Sequence, residues 1–396
     1  MSDDECLLLC HRIPYPPDRG DKIRSFHLLR YLARRFRVHL GAFVDDPVDW
    51  SRAEGLNRYT TSHCLRPLTR PRMAWRMVGG LLRGRPLSVA IYQDRVLREW
   101  VRERLRGGVE CVVVFSSATA TLVDLPEAEG VPRFLDYVDV DSQKWRQYAE
   151  TLHRGPKAWI YAREHRLLQT FELEQARHAR RVLFISPEEA ALFRAQGGDG
   201  LPVDHYPNGV DVDYFDPNRG YPDPFQTETR QLVFTGVMDY PPNVDAVCWF
   251  TEAVLPALRR RHPEVGFTIV GARPVEAVRA LAERAGVTVT GRVEDVRPYL
   301  AHAAAVVAPM RVARGVQNKV LEAMAMDRPV LVTAAAAEGL GEGVEHHIAV
   351  IDSPEAQVAR LDEWLSGAVP LPRPRSYVVE NFSWERVYAR LDELLQ

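Results

Sequence analysis

Short apolar runs alternate with helical patterns twice along the chain, and this alternation restricts the fold more than any other feature of the sequence. Helices are expected at Lys22–Phe36, Trp145–His178, Asn243–Arg260, Val275–Ala285 and Gln317–Met326. Strands are expected at Cys6–Ile13, Val38–Val44, Val109–Phe115, Arg133–Val138, Arg181–Ile185, Leu232–Thr235, Gly266–Val270, Val287–Thr290, Ala304–Ala308 and Val330–Thr333. Strands separated by helices pair in parallel, with the helices covering the sheet. The sequence therefore predicts an α/β protein built on parallel sheets.

The chain is long enough for two domains, and a segment rich in breakers separates the two series of strands. At 396 residues it exceeds the size that one ordinary hydrophobic core serves. Proline, glycine and asparagine are dense in Tyr206–Thr229. We predict a first domain over 1–210 and a second over 228–380. The terminal segment 383–396 begins at a serine suited to cap a helix, and we expect that helix to pack back on the first domain.

The bulk composition argues against several classes of protein. A formal net charge of −2 gives no reason to expect nucleic-acid binding. The five cysteines are scattered without a Cys-x-x-Cys pair, which indicates neither a zinc site nor a disulfide framework but reduced thiols in a cytoplasmic protein. No apolar run approaches the roughly 18 residues of a membrane span. Acidic residues at the N-terminus argue against a signal peptide.

One segment departs from this balance of charge. Arg66–Arg106 carries eleven arginines against three acidic residues, with Trp75, Leu81 and Leu82 among the apolar residues between them. A basic, apolar segment with a tryptophan can lie on an anionic membrane surface. It can equally form a pair of surface helices with solvated arginines and one buried stripe. Both interpretations remain open from the sequence.

Ligands of an open parallel sheet bind beyond the carboxyl ends of its strands, so a site is expected in the loops that follow them. Those loops are His11–Asp21, Ser116–Thr119, Asp136–Lys144, Gly236–Asn243, Gly271–Pro274, Pro309–Lys319 and Thr333–Leu340. Gly20 in the first of these loops is either a glycine that a phosphate approaches or a simple turn. Solvated surface is the expectation for Arg24, just beyond it.

The stretch from Arg314 to Val330 contains the most specific of these loops. Gly315 permits a tight turn and leaves room for a ligand. The amides of Val316, Gln317 and Asn318 follow at the start of a helix, where unpaired N–H groups favour an anion. Lys319 and Glu322 are three residues apart and share a helix face. This arrangement suits a nucleotide diphosphate, with the lysine on phosphate and the glutamate on ribose.

With these motifs the chain resembles the retaining nucleotide-sugar glycosyltransferases of the family 4 type. The motifs are Pro207–Phe215, Phe234–Asn243, Ile269–Gly271, Val289–Val296 and Gly315–Val330. More narrowly, His11–Lys22 and Asp139–Trp145 are similar to the subgroup associated with exosortase/PEP-CTERM exopolysaccharide systems. The resemblance implies the GT-B fold, in which two Rossmann-like domains with parallel sheets face each other across a cleft.

The resemblance also implies roles for single residues. Glu322 matches the second glutamate of a Glu-x7-Glu motif, which binds the nucleotide ribose. The first glutamate is replaced by Arg314, which puts the usual contact to the donor sugar in doubt. The loop that starts at Gly236 lacks the arginine and lysine that clamp the diphosphate, so Lys319 with Arg314 would supply that charge.

The usual histidine of the first domain is also absent, and Asp139 or Asp141 would hold the sugar or acceptor in its place. These two aspartates have the Asp-x-Asp spacing of a metal site and would point the same way in a strand. The resemblance implies catalysis without a metal or other cofactor. A turn and a helix N-cap before Ser142 are the structural alternative for both.

The reaction implied is transfer of a hexosyl group from a UDP- or GDP-linked sugar, with retention of configuration. The leaving phosphate would be stabilised electrostatically and would take the acceptor proton. The acceptor would be a glycan, a lipid-linked molecule or a small molecule. The resemblance places the reaction in exopolysaccharide or glycoconjugate synthesis, in the cytoplasm or peripherally at the inner membrane.

Three alternatives come from other classes of function. A dinucleotide-dependent oxidoreductase would need Gly-x-Gly-x-x-Gly after a strand, and no first-strand loop supplies it. A non-catalytic partner that binds sugar nucleotides fits the replaced Arg314 and the missing clamp residues. A sugar-nucleotide epimerase would share the fold and would convert its donor without an acceptor.

Overall fold

The computed structural model describes residues 4–17, 20–152, 154–225, 229–313 and 315–395. The chain divides into two compact units. The first comprises Met1–Tyr206 together with Tyr388–Gln396, and the second comprises Pro207–Val387.

In the described part of the chain, the first unit holds a parallel sheet of seven strands. The strands are β1 (Glu5–Cys10), β2 (Arg37–Val44), β3 (Ser62–Pro67), β4 (Cys111–Phe115), β5 (Arg133–Val138), β6 (Arg181–Phe184) and β7 (Val203–His205). Their order across the sheet is β3-β2-β1-β4-β5-β6-β7. The helices are α1 (Gly20–Leu32), α2 (Pro47–Trp50), α3 (Arg70–Leu82), α4 (Leu87–Ala90), α5 (Arg95–Arg106), α6 (Asp141–Leu152), α7 (Pro156–Arg177) and α8 (Pro187–Phe193).

The second unit has a parallel sheet of six strands within the described ranges. The strands are β8 (Arg230–Thr235), β9 (Val265–Val270), β10 (Val287–Gly291), β11 (Ala305–Ala308), β12 (Val330–Val332) and β13 (Ala349–Val350), in the order β10-β9-β8-β11-β12-β13. The helices are α9 (Pro241–Ala253), α10 (Leu255–Arg261), α11 (Glu276–Arg279), α12 (Arg297–Ala301), α13 (Asn318–Ala325), α14 (Ala334–Ala337), α15 (Pro354–Ser366) and α16 (Arg375–Phe382).

Both sheets are parallel, and their central strands are buried on both faces where helices cover them. All six residues of β9 are buried, as are all five of β4. Such strands need helices on both sides, which the alternating chain supplies. Phe250 and Phe267 meet at 4.9 Å between ring centroids in the core of the second unit.

The last helix, α17 (Trp384–Leu394), begins in the second unit and ends in the first. Its start is capped as predicted, since the Arg386 N–H donates to Ser383 Oγ at 3.4 Å. From Tyr388 onward the helix packs on α1. The Tyr388 hydroxyl lies 3.0 Å from His27 Nδ1, and the Tyr31 hydroxyl donates to Asp392 at 2.9 Å.

Three of the sequence predictions for helices are wrong in extent. The segment Trp145–His178 is not one helix, because Gly155 has a φ of 111° and Pro156 starts α7. Asn243–Arg260 is divided between α9 and α10 at Val254, two residues before a proline. Val275–Ala285 shortens to the four residues of α11 and a 3₁₀ turn.

Five free thiols are present, as the sequence predicts. Cys6 and Cys111 are neighbours across β1 and β4, with their sulfur atoms 3.5 Å apart. No helix in the described ranges is both long and apolar enough to cross a membrane.

Candidate functional site

The carboxyl ends of four strands meet at one edge of the second sheet. Strands β8, β9, β11 and β12 run parallel, so the residues that follow them share that edge. Helix α13 begins there, after the loop that leaves β11, and carries Lys319 and Glu322. The predicted helix over this stretch is confirmed, with its first residue at Asn318 instead of Gln317.

Lys319 is held at this edge by the side chain of Asn243, which lies on α9. Its Nζ donates to Oδ1 of Asn243, and the Asn243 amide in turn donates to the Val237 carbonyl at 2.9 Å. The same Nζ lies 3.7 Å from the Met310 sulfur and 4.3 Å from the centre of the Phe234 ring. The ammonium therefore sits in largely apolar surroundings with one neutral acceptor.

Burial moves the pKa values of Lys319 and Glu322 toward each other. It lowers the pKa of Lys319 to about 7, with the Glu322 charge opposing the shift. It raises the pKa of Glu322 to about 7, with the Lys319 charge opposing. Desolvation disfavours the charged form of each group, and a phosphate beside the lysine would restore its charge. A ligand that binds near neutral pH would thus change the protonation of Lys319 and Glu322.

Two glycines beside the lysine are packed too closely to carry a side chain. A Cβ on Gly236 would lie 2.7 Å from Asn243 Nδ2 and 3.3 Å from Lys319 Nζ. A Cβ on Gly271 would lie 1.6 Å from the Gly236 carbonyl oxygen, so no side chain fits there. Gly236 has a φ of 157°. A side chain at Gly236 would therefore displace Asn243 or Lys319, and glycine keeps these two residues in contact.

The loop before α13 is partly described. Gly315 has a φ of 61° and is buried, as the predicted tight turn requires. Val316 is buried against Gly339, and the Gln317 side-chain amide donates to the Gly315 carbonyl at 3.1 Å. Asn318 Oδ1 accepts from the Asn208 amide at 3.1 Å. The loop residues and the helix start are thus brought beside Lys319.

Arg314, predicted to contribute charge here, lies outside the described residues.

Two neighbours of the site were missed by sequence reasoning. Asn243 is the last residue of the predicted loop Gly236–Asn243 and lies on α9 in the structure. Its contact with Lys319 was not predicted. Tyr214 is 42% exposed, and the Arg297 guanidinium stacks 3.8 Å from its ring centre. Burial raises the pKa of Tyr214, and the charges of Asp295 and Glu322 act in the same direction. The motif Pro207–Phe215 was the only signal for it.

Asp139, Asp141 and Gly20 belong to the first unit, whereas the other predicted site residues belong to the second. The two aspartates converge on one cation, with Lys144 Nζ 2.7 Å from Asp139 and 3.0 Å from Asp141. Both carboxylates raise the pKa of Lys144 against the effect of its burial.

The two aspartates lie in the turn after β5 and at the start of α6, not in a strand. Strand β5 ends at Val138, whose φ of 70° turns the chain, and α6 starts at Asp141. A β-branched residue with this φ is rare, so the turn is imposed by its surroundings.

Gly20 is the first residue of α1, in a polar corner after β1. Arg12 bonds to Asp21 and, at 3.0 Å, to Asp45, while His11 lies 3.5 Å from Asp21. Although burial opposes the shift, His11 and Arg12 hold the pKa of Asp21 below its usual range. The corner is therefore largely neutralised by its own ion pairs.

The prediction that Arg24 is solvated is wrong. Its side chain is 1% exposed and makes two bonds of 3.0 Å to Asp136. The guanidinium also stacks 3.6 Å from the centre of the Tyr206 ring. This partner is 112 residues away in sequence, which is why local patterning gave no sign of burial.

Among the described residues, no group of three or more His, Cys, Asp or Glu side chains is arranged to hold a metal ion.

Comparison with known proteins gives a family-model match for part of the chain and structural matches for nearly all of it. Residues 229–366 match the family model of glycosyl transferases group 1. No curated protein matches the chain. Among solved structures, a sucrose-phosphate synthase from Thermosynechococcus elongatus aligns with a TM-score of 0.67 at 16% identity, covering 99% of this chain and 98% of that one. The chain has the GT-B fold.

Two further structures align over the full GT-B fold. A glycosyltransferase from Rickettsia africae has a TM-score of 0.65 at 11% identity, with 100% of this chain and 98% of that chain covered. Anabaena HepE in complex with UDP has a TM-score of 0.65 at 12% identity, with 99% of each chain covered. The predicted fold class is thereby confirmed.

Proposed function

We propose that the protein is a retaining glycosyltransferase that moves a hexosyl group from a nucleotide diphosphate to an acceptor hydroxyl. The observation that carries this proposal is the pair Lys319 and Glu322 on α13, which lies beside Gly236 at the edge where the carboxyl ends of the strands meet. The family-model match over 229–366 includes all three residues and supports the assignment.

Lys319 and the amides at the start of α13 bind the diphosphate in this proposal. As the sugar leaves, negative charge grows on the terminal phosphate, and a desolvated ammonium stabilises that charge more strongly than a solvated one would. The phosphate takes the acceptor proton, and attack occurs on the face from which it departs. No protein base, metal or other cofactor is needed for this route.

Glu322 accepts hydrogen bonds from the ribose hydroxyls, and these bonds favour its ionised form. UDP is the first nucleotide to test, because the HepE structures contain UDP and UDP-glucose. GDP-linked donors remain the second choice.

The first unit supplies the acceptor side of the reaction. Asp139 and Asp141 bind hydroxyl groups of the sugar or acceptor, and Lys144 forms an ion pair with both carboxylates. The acceptor is a glycan, a lipid-linked molecule or a small molecule, and the product belongs to exopolysaccharide or glycoconjugate synthesis. We place the enzyme in the cytoplasm.

A nucleotide screen followed by turnover tests the proposal. Calorimetry with UDP, GDP and ADP is expected to show one tight ligand, and the matching sugar nucleotide is expected to be hydrolysed slowly in the absence of acceptor. Binding without any turnover would favour a non-catalytic partner protein. Conversion to a second sugar nucleotide without acceptor would favour an epimerase. Failure to bind any nucleoside diphosphate would reject the site itself.

A further inference from the structure

Helix α3 packs against the protein with one face and exposes the opposite face to solvent. A Cβ on Gly80 would lie 2.5 Å from the Ala90 Cβ of α4, so this side of the helix is in close contact. At about 100° per residue, Trp75, Val78 and Leu82 lie within roughly 60° of one another and about 160–220° around the helix from Gly80. They are 79%, 53% and 82% exposed. Three large apolar side chains therefore point away from the protein.

Cations flank this apolar stripe. No acidic residue occurs between Arg66 and Gln93. The next residue, Asp94, is already paired with Arg66 at 2.9 Å and Arg76 at 2.6 Å. Four further arginines are exposed and form no salt bridge with a described residue, namely Arg70, Arg72, Arg83 and Arg85. The surface therefore combines apolar side chains with uncompensated positive charge.

Helix α7 contacts the segment that follows α3. Arg163 Nη2 donates to the Arg85 carbonyl at 3.2 Å, and the Glu164 carboxylate accepts from the Leu87 N–H at 2.7 Å. Helix α7 is thus fastened to the loop after α3 and to the start of α4. Trp159, one turn before Arg163, is 63% exposed. A second exposed tryptophan therefore lies one helical turn from this contact.

We propose that this docking face, formed by the outer side chains of α3 with the four exposed arginines, binds the surface of a bilayer that contains anionic phospholipids. Arginines near the surface are attracted to anionic headgroups, and tryptophan is suited to the boundary between headgroups and acyl chains. A helix with one apolar face lies in that plane. A second copy of the chain fits less well, because a two-fold contact would bring like-charged arginines together. The inference stands independently of the proposed transfer reaction.

Vesicle flotation tests the docking face. The full-length protein is expected to float with vesicles of phosphatidylcholine and phosphatidylglycerol, to stay behind with phosphatidylcholine alone, and to be released by salt. Trp75→Ser/Leu82→Ser is expected to lower the floated fraction at least about fivefold, as the apolar contribution to binding scales with buried area. The matched control Val48→Ser/Val96→Ser, at exposed valines elsewhere in the unit, is expected to float like the wild type.

Charge is tested in the same way. Replacing the four docking-face arginines by glutamine is expected to abolish flotation. The control replaces four exposed arginines outside the face by glutamine, namely Arg177, Arg260, Arg284 and Arg386. Equal losses in both sets would overturn the proposal, because net charge alone would then explain binding.

Quenching of tryptophan fluorescence by brominated lipid shows which part of the protein contacts the bilayer. Binding to brominated anionic vesicles is expected to quench the protein's fluorescence, and Trp75→Phe is expected to remove most of that quenching while leaving flotation intact. Three results would overturn the proposal: no flotation of the wild type, unchanged flotation of Trp75→Ser/Leu82→Ser, or a dimer in solution that this double variant disperses. The last result would assign the face to a second copy of the chain.

Discussion

At the scale of single residues, the proposed nucleotide site depends on Glu322 to accept hydrogen bonds from the ribose. We expect Glu322→Gln to weaken nucleoside diphosphate binding by about 1–2 kcal/mol, the cost of replacing a charged hydrogen-bond acceptor by a neutral one. Calorimetry with the nucleotide identified by the screen measures this loss. The control is Glu276→Gln, which alters an 89% exposed carboxylate on α11. Equal affinity of the Glu322 variant and the wild type would remove this residue from the site.

Lys319 is predicted to make stability depend on pH in a defined window. Burial lowers its pKa from 10.5 to about 7 in the folded protein. Below pH 7 Lys319 is protonated in both the folded and the unfolded protein, so it does not make stability depend on pH there. Between about 7 and 10.5 the unfolded state binds more protons, so stability rises with pH. Removal of Lys319 also raises the Glu322 pKa further, which acts in the same direction.

We therefore expect the wild type to gain about 1–2 kcal/mol relative to Lys319→Met between about pH 6 and about pH 9, after allowance for solvent at a partly exposed side chain. Denaturant unfolding at both values measures the difference. Lys157→Met, at an exposed lysine, is the control and is expected to show no such change. A difference that stays constant with pH would show that Lys319 is fully charged in the folded state.

The sequence predicted part of this site and not the rest, for reasons of distance along the chain. Lys319 and Glu322 share a face because three residues span almost one helical turn, which is local information. The Asn243 contact to Lys319 joins residues 76 apart, and the burial of Arg24 depends on Asp136. Contacts of this kind follow from the order of strands in a sheet, which local periodicity does not specify.

At the scale of elements, strand length decided what the sequence could predict. Strand β5 was predicted residue for residue, because its apolar run is bounded by a breaker and a turn. Strands β7 and β13, with three and two residues, are too short to show periodicity. Strand β3 was missed at the start of the basic segment, because His63 and Arg66 interrupt its apolar residues.

Two adjacent glycines of α3 allow a test of how this helix packs on α4. Gly80→Ala places a methyl group 2.5 Å from Ala90 Cβ, and we expect a loss of about 1–3 kcal/mol from overpacking. Gly79→Ala meets only the flexible Arg83 side chain at 3.0 Å, and we expect a gain of about 0.5–1 kcal/mol from the lower entropy of alanine. Thermal unfolding of both variants measures the difference. Equal effects would mean that α3 does not rest on α4 through Gly80.

At the scale of the whole molecule, the chain leaves the first unit at Tyr206 and returns to it at Tyr388. The returning segment is short but buried, with Tyr388 3%, Leu391 0% and Leu394 1% exposed. Deleting one buried leucine costs about 2–5 kcal/mol, so nine terminal residues are a substantial part of the first unit's stability.

We expect deletion of 388–396 to destabilise the first unit selectively. Hydrogen exchange of the truncated chain should rise in β1 and β2, next to the helix that α17 contacts, while β8 and β9 keep their protection because the core of the second unit is intact. Tyr388→Phe is the control, since it keeps the ring and removes only the hydroxyl bonded to His27, a loss of about 1 kcal/mol. Equal increases of exchange in both sheets would show that the two units unfold together, and an unchanged first sheet would show that the returning segment contributes nothing to its stability.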